Sequence, residues 1–294
     1  MKFYLLTTYL LVISILFISC NDDNEPRVVQ WDLVWEINDL PNPESVAFDK
    51  KRNVLYVSNQ KLGGENGEAS IGILSPNGTI IEKEWITGMD EPKGILIIDD
   101  KLYVSDKTVL IEIDIPSAEI INEYEGEGAQ FLNDVAKDNT GNVYVSDMFT
   151  SAIYRLDKQG NFKLWLQDEN LQNPNGLWIE DNYMYISAWG SFDDQNPLGA
   201  SKGTVLKINM ANKSFEQIGK DNIGHLDGIH PYNNGFLLSD WIEGKIFTFE
   251  NGVTTKIIDT EQGSGDIVYL TENDIIIVPI APTGKVLAFS PIKL

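Results

Sequence analysis

The sequence predicts an all-β fold: a six-bladed β-propeller with four-stranded blades, closed by an N-terminal strand that completes the last blade. Three observations predict it. A frame of a turn followed by a short apolar strand recurs six times, as NPESVAFD, EPKGILIID, FLNDVAKD, NPNGLWIED, HLDGIHPY and GSGDIVYL. Its copies begin 38 to 52 residues apart, close to the roughly 40–45 residues that a four-stranded blade needs. The two chain ends are also complementary. The sixth unit runs out after its third strand, GKVLAFSPIKL, while WDLVWEIND at residues 31–39 precedes the first unit with nothing to pair with.

Within each unit the elements follow one order. The first strand is the frame itself, as in GLWIE. The second ends in Ser plus a polar residue in most copies: VLYVSN, KLYVSD, NVYVSD, YMYISA and FLLSD, with DIIIVP in the sixth. The third reads GTVLKIN, SAIYRLD or GKIFTFE, and the fourth TIIEKEWI, NFKLWLQ or VTTKIID. Period-two alternation, β-branched and aromatic residues and Gly or Asn turns all specify strands. Residues 31–39 resemble the fourth strands, so placing them on the last blade closes the ring and removes an open sheet edge.

The 294 residues are 43% hydrophobic and carry a formal charge of −22. That composition supports a large core and excludes a disordered chain. The acidity argues against a nucleic-acid partner and against a basic face docked on anionic lipid. The start, MKFYLLTTYLLVISILFISC, has a single early Lys2 and an uncharged apolar run too short to span a bilayer with ease. It reads as an export signal, and it resembles a bacterial lipoprotein signal, which assigns lipidation to Cys20, the sole cysteine of the chain. The expected layout is a signal over 1–19, a lipidated Cys20 and tether over 20–29, and the propeller over 30–294. The expected address is the cell envelope, as an outer-membrane lipoprotein facing the periplasm or the exterior. The acidic NDDNE after Cys20 resembles a surface-export sequence.

One position varies inside the frame: Glu44, Lys93, Asn133, Asn175, Asp227 and Gly265. The first strand of a blade lines the central channel, so Glu44, Asn133, Asn175 and Asp227 should ring one channel mouth. Asn59, Asp106, Asp147 and Asp240, at the ends of second strands, should sit behind them and bond local backbone. The long connections QKLGGENGEAS and AWGSFDDQNPLGASKG (188–203) belong to the same face. Asn and Asp are ordinary turn residues, but Glu44 is not, and four oxygen-bearing side chains pointing at one axis need a reason. Two carboxylates about 4 Å apart repel by roughly 4 kcal/mol at an effective dielectric near 20. A cation between them removes that cost. Two carboxylates and two amide carbonyls are hard oxygen ligands, which favours calcium, with magnesium and zinc as alternatives.

At these residues the chain resembles the senescence-marker-protein/gluconolactonase family, and more distantly the paraoxonases. The resemblance spans residues 30–294 and rests on PESVAFD, FLNDVAKD, NPNGLWIE and LDGIHPY. It implies that Glu44, Asn175 and Asp227 ligate a divalent metal, that Asn133 touches metal or substrate, and that Asp227 takes a proton from the attacking water. It also implies hydrolysis of a small-molecule lactone or ester. Lys93 and Gly265 match positions that carry no ligand. Phe131 stands where relatives often place a sugar-holding Arg, which points to a more apolar substrate.

Both histidines and two tryptophans complete the candidates. His225, two residues before Asp227, could shuttle protons or orient substrate, although its loop position favours a solvated imidazole. His230 is expected to be packed. Trp189 and Trp241 would stack a ligand or pack between blades. The rival to a hydrolase is a non-catalytic propeller that binds a ligand or partner at the envelope.

Overall fold

The computed structural model describes residues 29–192 and 200–292. The expected signal, Cys20 and the acidic tether lie outside these residues, as do positions 193–199 of the long connection.

Six four-stranded antiparallel sheets follow one another around the ring. Blade one runs from its inner strand Pro43–Asp49 through Val54–Asn59 and Ala69–Leu74 to the outer Ile80–Met89. The inner strands of blades two to six are Pro92–Ile98, Leu132–Lys137, Pro174–Glu180, Leu226–Tyr232 and Val268–Leu270. Blade six takes its fourth strand from the other end of the chain. Trp31–Ile37 pairs antiparallel with Lys285–Pro291, from Trp31 opposite Pro291 to Ile37 opposite Val286. The predicted closure is therefore the observed one.

Apolar side chains alternate along the strands so that each blade buries both faces against its neighbours. Tyr56 and Ile71 of blade one pack with Ile95, Leu102 and Ile111 of blade two. At the closure, Ile37, Val46 and Leu55 pack with Val268, Ile277 and Val286. The core is thus a ring of interblade layers, in which each fully buried aliphatic contributes about 1.5–3 kcal/mol. Outer strands such as Phe162–Gln167 are largely solvent-facing.

Two local devices set the channel lining. In blades one to five the pairing of the inner strand with the second slips where the frame begins, between Pro43 and Val46, Pro92 and Ile95, Leu132 and Val135, Pro174 and Leu177, and Leu226 and Ile229. The two residues inside each bulge escape strict in–out alternation. The serine that ends the second strand then joins blades. Ser146 Oγ accepts from the Asp134 N–H at 2.9 Å and donates to the Asn175 carbonyl of the next blade at 2.7 Å. Ser239 does the same from Gly228 N–H to the Gly265 carbonyl, both at 2.8 Å. Ser105 and Ser187 donate to the carbonyls of Asn133 and Asp227. The recurrent serine is an interblade tie, anchored at the residues that ring the mouth.

Candidate functional site

Each mouth residue sits at the start of an inner strand, where the bulge frees its side chain; a serine tie holds the backbone of Asn133, Asn175 and Asp227, and the Asp266 N–H holds that of Glu44. Glu44, Asn133, Asn175 and Asp227 are all buried, at 1 to 4% exposure. Asn175 Nδ2 donates to Asp227 Oδ2 at 3.0 Å, and Asn133 Nδ2 points to Met148 Sδ at 3.7 Å. With their nitrogens so engaged, the amide oxygens are left over. Glu44 Oε2, Asn133 Oδ1, Asn175 Oδ1 and Asp227 Oδ1 are buried without a hydrogen-bond partner. Such atoms ordinarily cost about 1–3 kcal/mol each.

A third carboxylate joins the centre. Ligand atoms of Glu44, Asp227 and Asp266 lie within 4.8 Å of one another, and both Asp266 oxygens lack a partner. Asp266 follows Gly265, the sixth frame position. A Cβ at Gly265 would meet the Glu44 carbonyl at 2.1 Å, so only glycine lets blade six close on blade one. That approach is sealed by the Asp266 N–H bonding the Glu44 carbonyl at 2.9 Å. Asp134, the second bulge residue of blade three, completes the acidic lining. Its carboxylate accepts from the N–H groups of Val135 at 2.7 Å and Leu177 at 2.5 Å. Asp134 and Asp266 form one end of a cavity of about 540 Å³ that continues along the channel, past Trp178, to His230 and Tyr269. The unsatisfied oxygens cluster at the mouth end, so the chemistry belongs there rather than in the larger space behind.

Burial governs the titration of these groups. Loss of water pushes the Asp227 carboxyl up to about 7, with Asp134 and Asp240 adding to the shift and the Asn175 bond opposing it. Burial also lifts Asp134 to about 7, against its backbone hydrogen bonds. Glu44 rises well above the usual range through burial and then the charge of Asp227. Asp266 rises likewise, through burial and then its neighbours Asp134, Glu44 and Asp227. Carboxyls crowded in this way are either protonated or matched by a cation.

The flanking residues fall in several places. Asp106 accepts from Asp90 N–H at 2.8 Å, Asp147 from Gln130 N–H at 2.7 Å, and Asp240 from Ile242 and Glu243 N–H at 3.1 Å. These second-strand acids hold the loop backbone behind the mouth. His225 departs from the solvated imidazole expected of its loop. It is 1% exposed, because Trp189 and Trp241 cover the loop, with the Trp189 ring 5.2 Å from the imidazole and 6.1 Å from Trp241. Its Nδ1 lies 3.1 Å from the Trp189 carbonyl, and its Nε2 has no partner. His230 is packed against Trp178 at 5.9 Å and held neutral, its pKa pushed down to about 4 by burial. An aromatic arc borders the mouth. Phe131 stacks on Phe149 at 4.4 Å, Phe149 meets Phe192 edge-on at 5.1 Å, and Phe192 stacks on Trp189 at 5.5 Å.

Lys93 and the acids Asp134 and Asp266 are what the sequence reading did not place at the mouth. A signal for the acids was present: the residue after the varying position reads Ser45, Gly94, Asp134, Gly176, Gly228 and Asp266. Two acids stand there among glycines and a serine.

The fold and mouth define a class: a six-bladed propeller with an oxygen-lined polar centre at one end of its channel. No family model matches the sequence, and no curated protein matches it. Among solved structures the chain is similar to a gluconolactonase from Xanthomonas campestris, with a TM-score of 0.67 and 13% identity over 90% of each chain. It is also similar to virginiamycin B lyase from Staphylococcus aureus, with a TM-score of 0.61 and 13% identity over 90% of this chain and 100% of that one. A streptogramin B lyase superposes with a TM-score of 0.59 at 13% identity. At such identity the likeness is one of fold.

Proposed function

We propose that the protein is a calcium-dependent hydrolase of the lactonase or esterase type, acting on a small molecule at the channel mouth. The observation that carries this reading is the set of buried oxygens without donors on Glu44, Asn133, Asn175 and Asp227. Hydrogen-bond donors are what a water-excluded oxygen normally finds, and a cation is the remaining way to satisfy it. Glu44, Asn175 and Asp227 would hold the ion, with Asn133 on ion or substrate and Asp266 in reach of both carboxylates. The donor set is all oxygen, which suits calcium first and magnesium or zinc as alternatives. When bound, such an ion supplies a Lewis acid for a carbonyl oxygen and a more acidic water.

The protein's own groups supply the rest. Asp227, steadied through Oδ2 by Asn175, keeps Oδ1 free to take a proton from the attacking water. His225 donates through Nδ1 to the Trp189 carbonyl, which leaves Nε2 as an acceptor for a substrate hydroxyl or water. Phe131 and Trp189 offer apolar faces, so the substrate is less polar than a sugar lactone. The gluconolactonase of similar fold supports the reaction class by analogy. The export signal and Cys20 support a lipid anchor and a place in the cell envelope.

The test is calorimetric calcium titration of residues 21–294 after chelation, beside an Asp227→Asn, Glu44→Gln double variant. Wild type should bind one ion and the variant none, and a lactone and ester screen should then find turnover. A protein that binds no calcium, magnesium or zinc ends the hydrolase reading. The exposed faces of Phe149 (47%) and Phe192 (44%) favour a second reading, a propeller that binds an apolar ligand without catalysis. Calcium binding without turnover on any lactone or ester would select it.

A further inference from the structure

Lys93 occupies the second of the six mouth positions, and the cation site gives it no task. Its side chain is 1% exposed, among the most deeply buried large side chains of the protein. Among the described residues its Nζ donates one hydrogen bond, to the Glu91 carbonyl at 3.1 Å. The Glu91 carboxylate stands 3.8 Å away, past hydrogen-bond reach. The ring of Phe131 lies 4.1 Å from the nitrogen, a cation–π contact. An ammonium has three donors, so a second donor faces the ring and a third is unspent. The neighbouring mouth acid does not take it, since Glu44 Oε2 is itself without a partner.

An ammonium buried this deeply and bonded this thinly is an incomplete site. What completes it must be an acceptor, must reach the mouth, and must lie beside Phe131. The aromatic arc that begins at Phe131 and passes to Phe149 is open to solvent at its far end. Both faces of Phe131 are taken, one by Nζ at 4.1 Å and the other by Phe149 at 4.4 Å, so it is the apolar edge of this ring that borders the ammonium.

We propose that Lys93 is an oxyanion-binding residue, and that the mouth takes a small carboxylate whose apolar body packs against the edge of Phe131. The carboxylate oxygen accepts from Nζ in a charge-assisted hydrogen bond. The net charge of −22 does not forbid this, because distant charges are screened beyond about 8 Å at physiological salt. The nearer charges do count: the Glu91 carboxylate stands 3.8 Å from Nζ, and the ligand competes with it for the ammonium. The inference does not require catalysis. It fits the hydrolase reading, since ester or lactone hydrolysis ends in a carboxylate, and a tight product would then inhibit.

The test titrates benzoate, with benzamide as the neutral analogue of the same shape, into residues 21–294 by calorimetry. It is run in excess calcium and again after chelation. Wild type should bind benzoate at least about tenfold more tightly than benzamide, the scale of one charge-assisted hydrogen bond. Lys93→Met should erase that preference while leaving calcium affinity unchanged or tighter, because a positive charge near Glu44 has gone. Benzoate no tighter than benzamide in wild type overturns the proposal without any variant. So does a Lys93→Met or Lys93→Gln protein that folds and keeps the preference. A benzoate preference that depends on Lys93 in a protein that binds no metal would sink the cation site and leave this inference standing. Calcium binding without the preference would do the reverse.

Discussion

Calcium should remove the loss of stability that the buried mouth acids impose as pH rises. In the metal-free protein Asp227 and Asp134 carry pKa values pushed up to about 7, against an ordinary 3.8. Glu44 and Asp266 move in the same direction. Between about pH 4 and pH 7 the native state holds protons that the unfolded chain has released, so stability falls as pH rises through that window. One carboxyl moved from 3.8 to about 7 contributes a loss of about 4 kcal/mol at about 1.4 kcal/mol per pH unit. The four acids share one field and do not add, so one carboxyl sets the scale. Calcium at about a thousand times its Kd restores about 4 kcal/mol. The assay is urea unfolding of residues 21–294 from about pH 5 to pH 7.5, with chelator and with calcium. That window lies above the range of Glu243, whose pKa of about 2 reflects its bonds to Lys202 and Lys245 and which would act in the opposite direction at lower pH. His230, its pKa pushed down to about 4 by burial, adds stability as pH rises to about 6.5 in either condition, so the difference between the two profiles is what counts: the stability that calcium adds should grow with pH across the window. A calcium increment that stays constant from about pH 5 to pH 7.5 would refute the claim that these acids are buried without compensation.

Ser146→Ala should cost about 1–3 kcal/mol in the same assay, because it strands the Asp134 N–H and the Asn175 carbonyl. Gly265→Ala places a Cβ against the Glu44 carbonyl and should weaken calcium binding at least about tenfold by calorimetry, the scale of a misplaced charged ligand. Truncation of residues 1–38 should leave Lys285–Pro291 as an open edge, lower the unfolding midpoint and produce concentration-dependent association in light scattering.

Most of the fold was legible because a propeller repeats its grammar. The apolar frame, the Ser-ending second strand and the unpaired Trp31–Ile37 together specified the blade number and the closure. The mouth was legible only one residue per blade. The varying frame position picks out Glu44, Asn133, Asn175 and Asp227, and period-two alternation gives no reason to look at the residue after each. In blade three the bulge breaks that alternation and brings in Asp134, while Asp266 lies ahead of its strand, in backbone that Gly265 lets close on Glu44. Lys93 was passed over because lysine is ordinarily a surface residue, and nothing local marks one that the blades enclose. His225 was misread for a related reason: its cover comes from Trp189 and Trp241, which belong to other loops. The serine had been a strand marker, and its work between blades needs the neighbouring blade to be seen.

The places where local rules fail are the places where the site lies. Strands that alternate cleanly elsewhere bulge at the mouth. Buried polar atoms that would ordinarily be paired are left open there, and a lysine is enclosed. For the proposed ion, the charges favour a divalent species over a monovalent one. Glu44, Asp134, Asp227 and Asp266 bring four negative charges when ionised, and Lys93 returns one. A monovalent ion would leave the enclosed cluster at two negative charges, and a divalent ion leaves it at one. That last charge is the one the backbone N–H bonds to Asp134 already hold. Replacing Asp266 by Asn should therefore shift preference toward monovalent ions without touching the Asn175–Asp227 pair. Competition of sodium against calcium in the variant measures that shift, and an unchanged ratio would place Asp266 outside the ion's field.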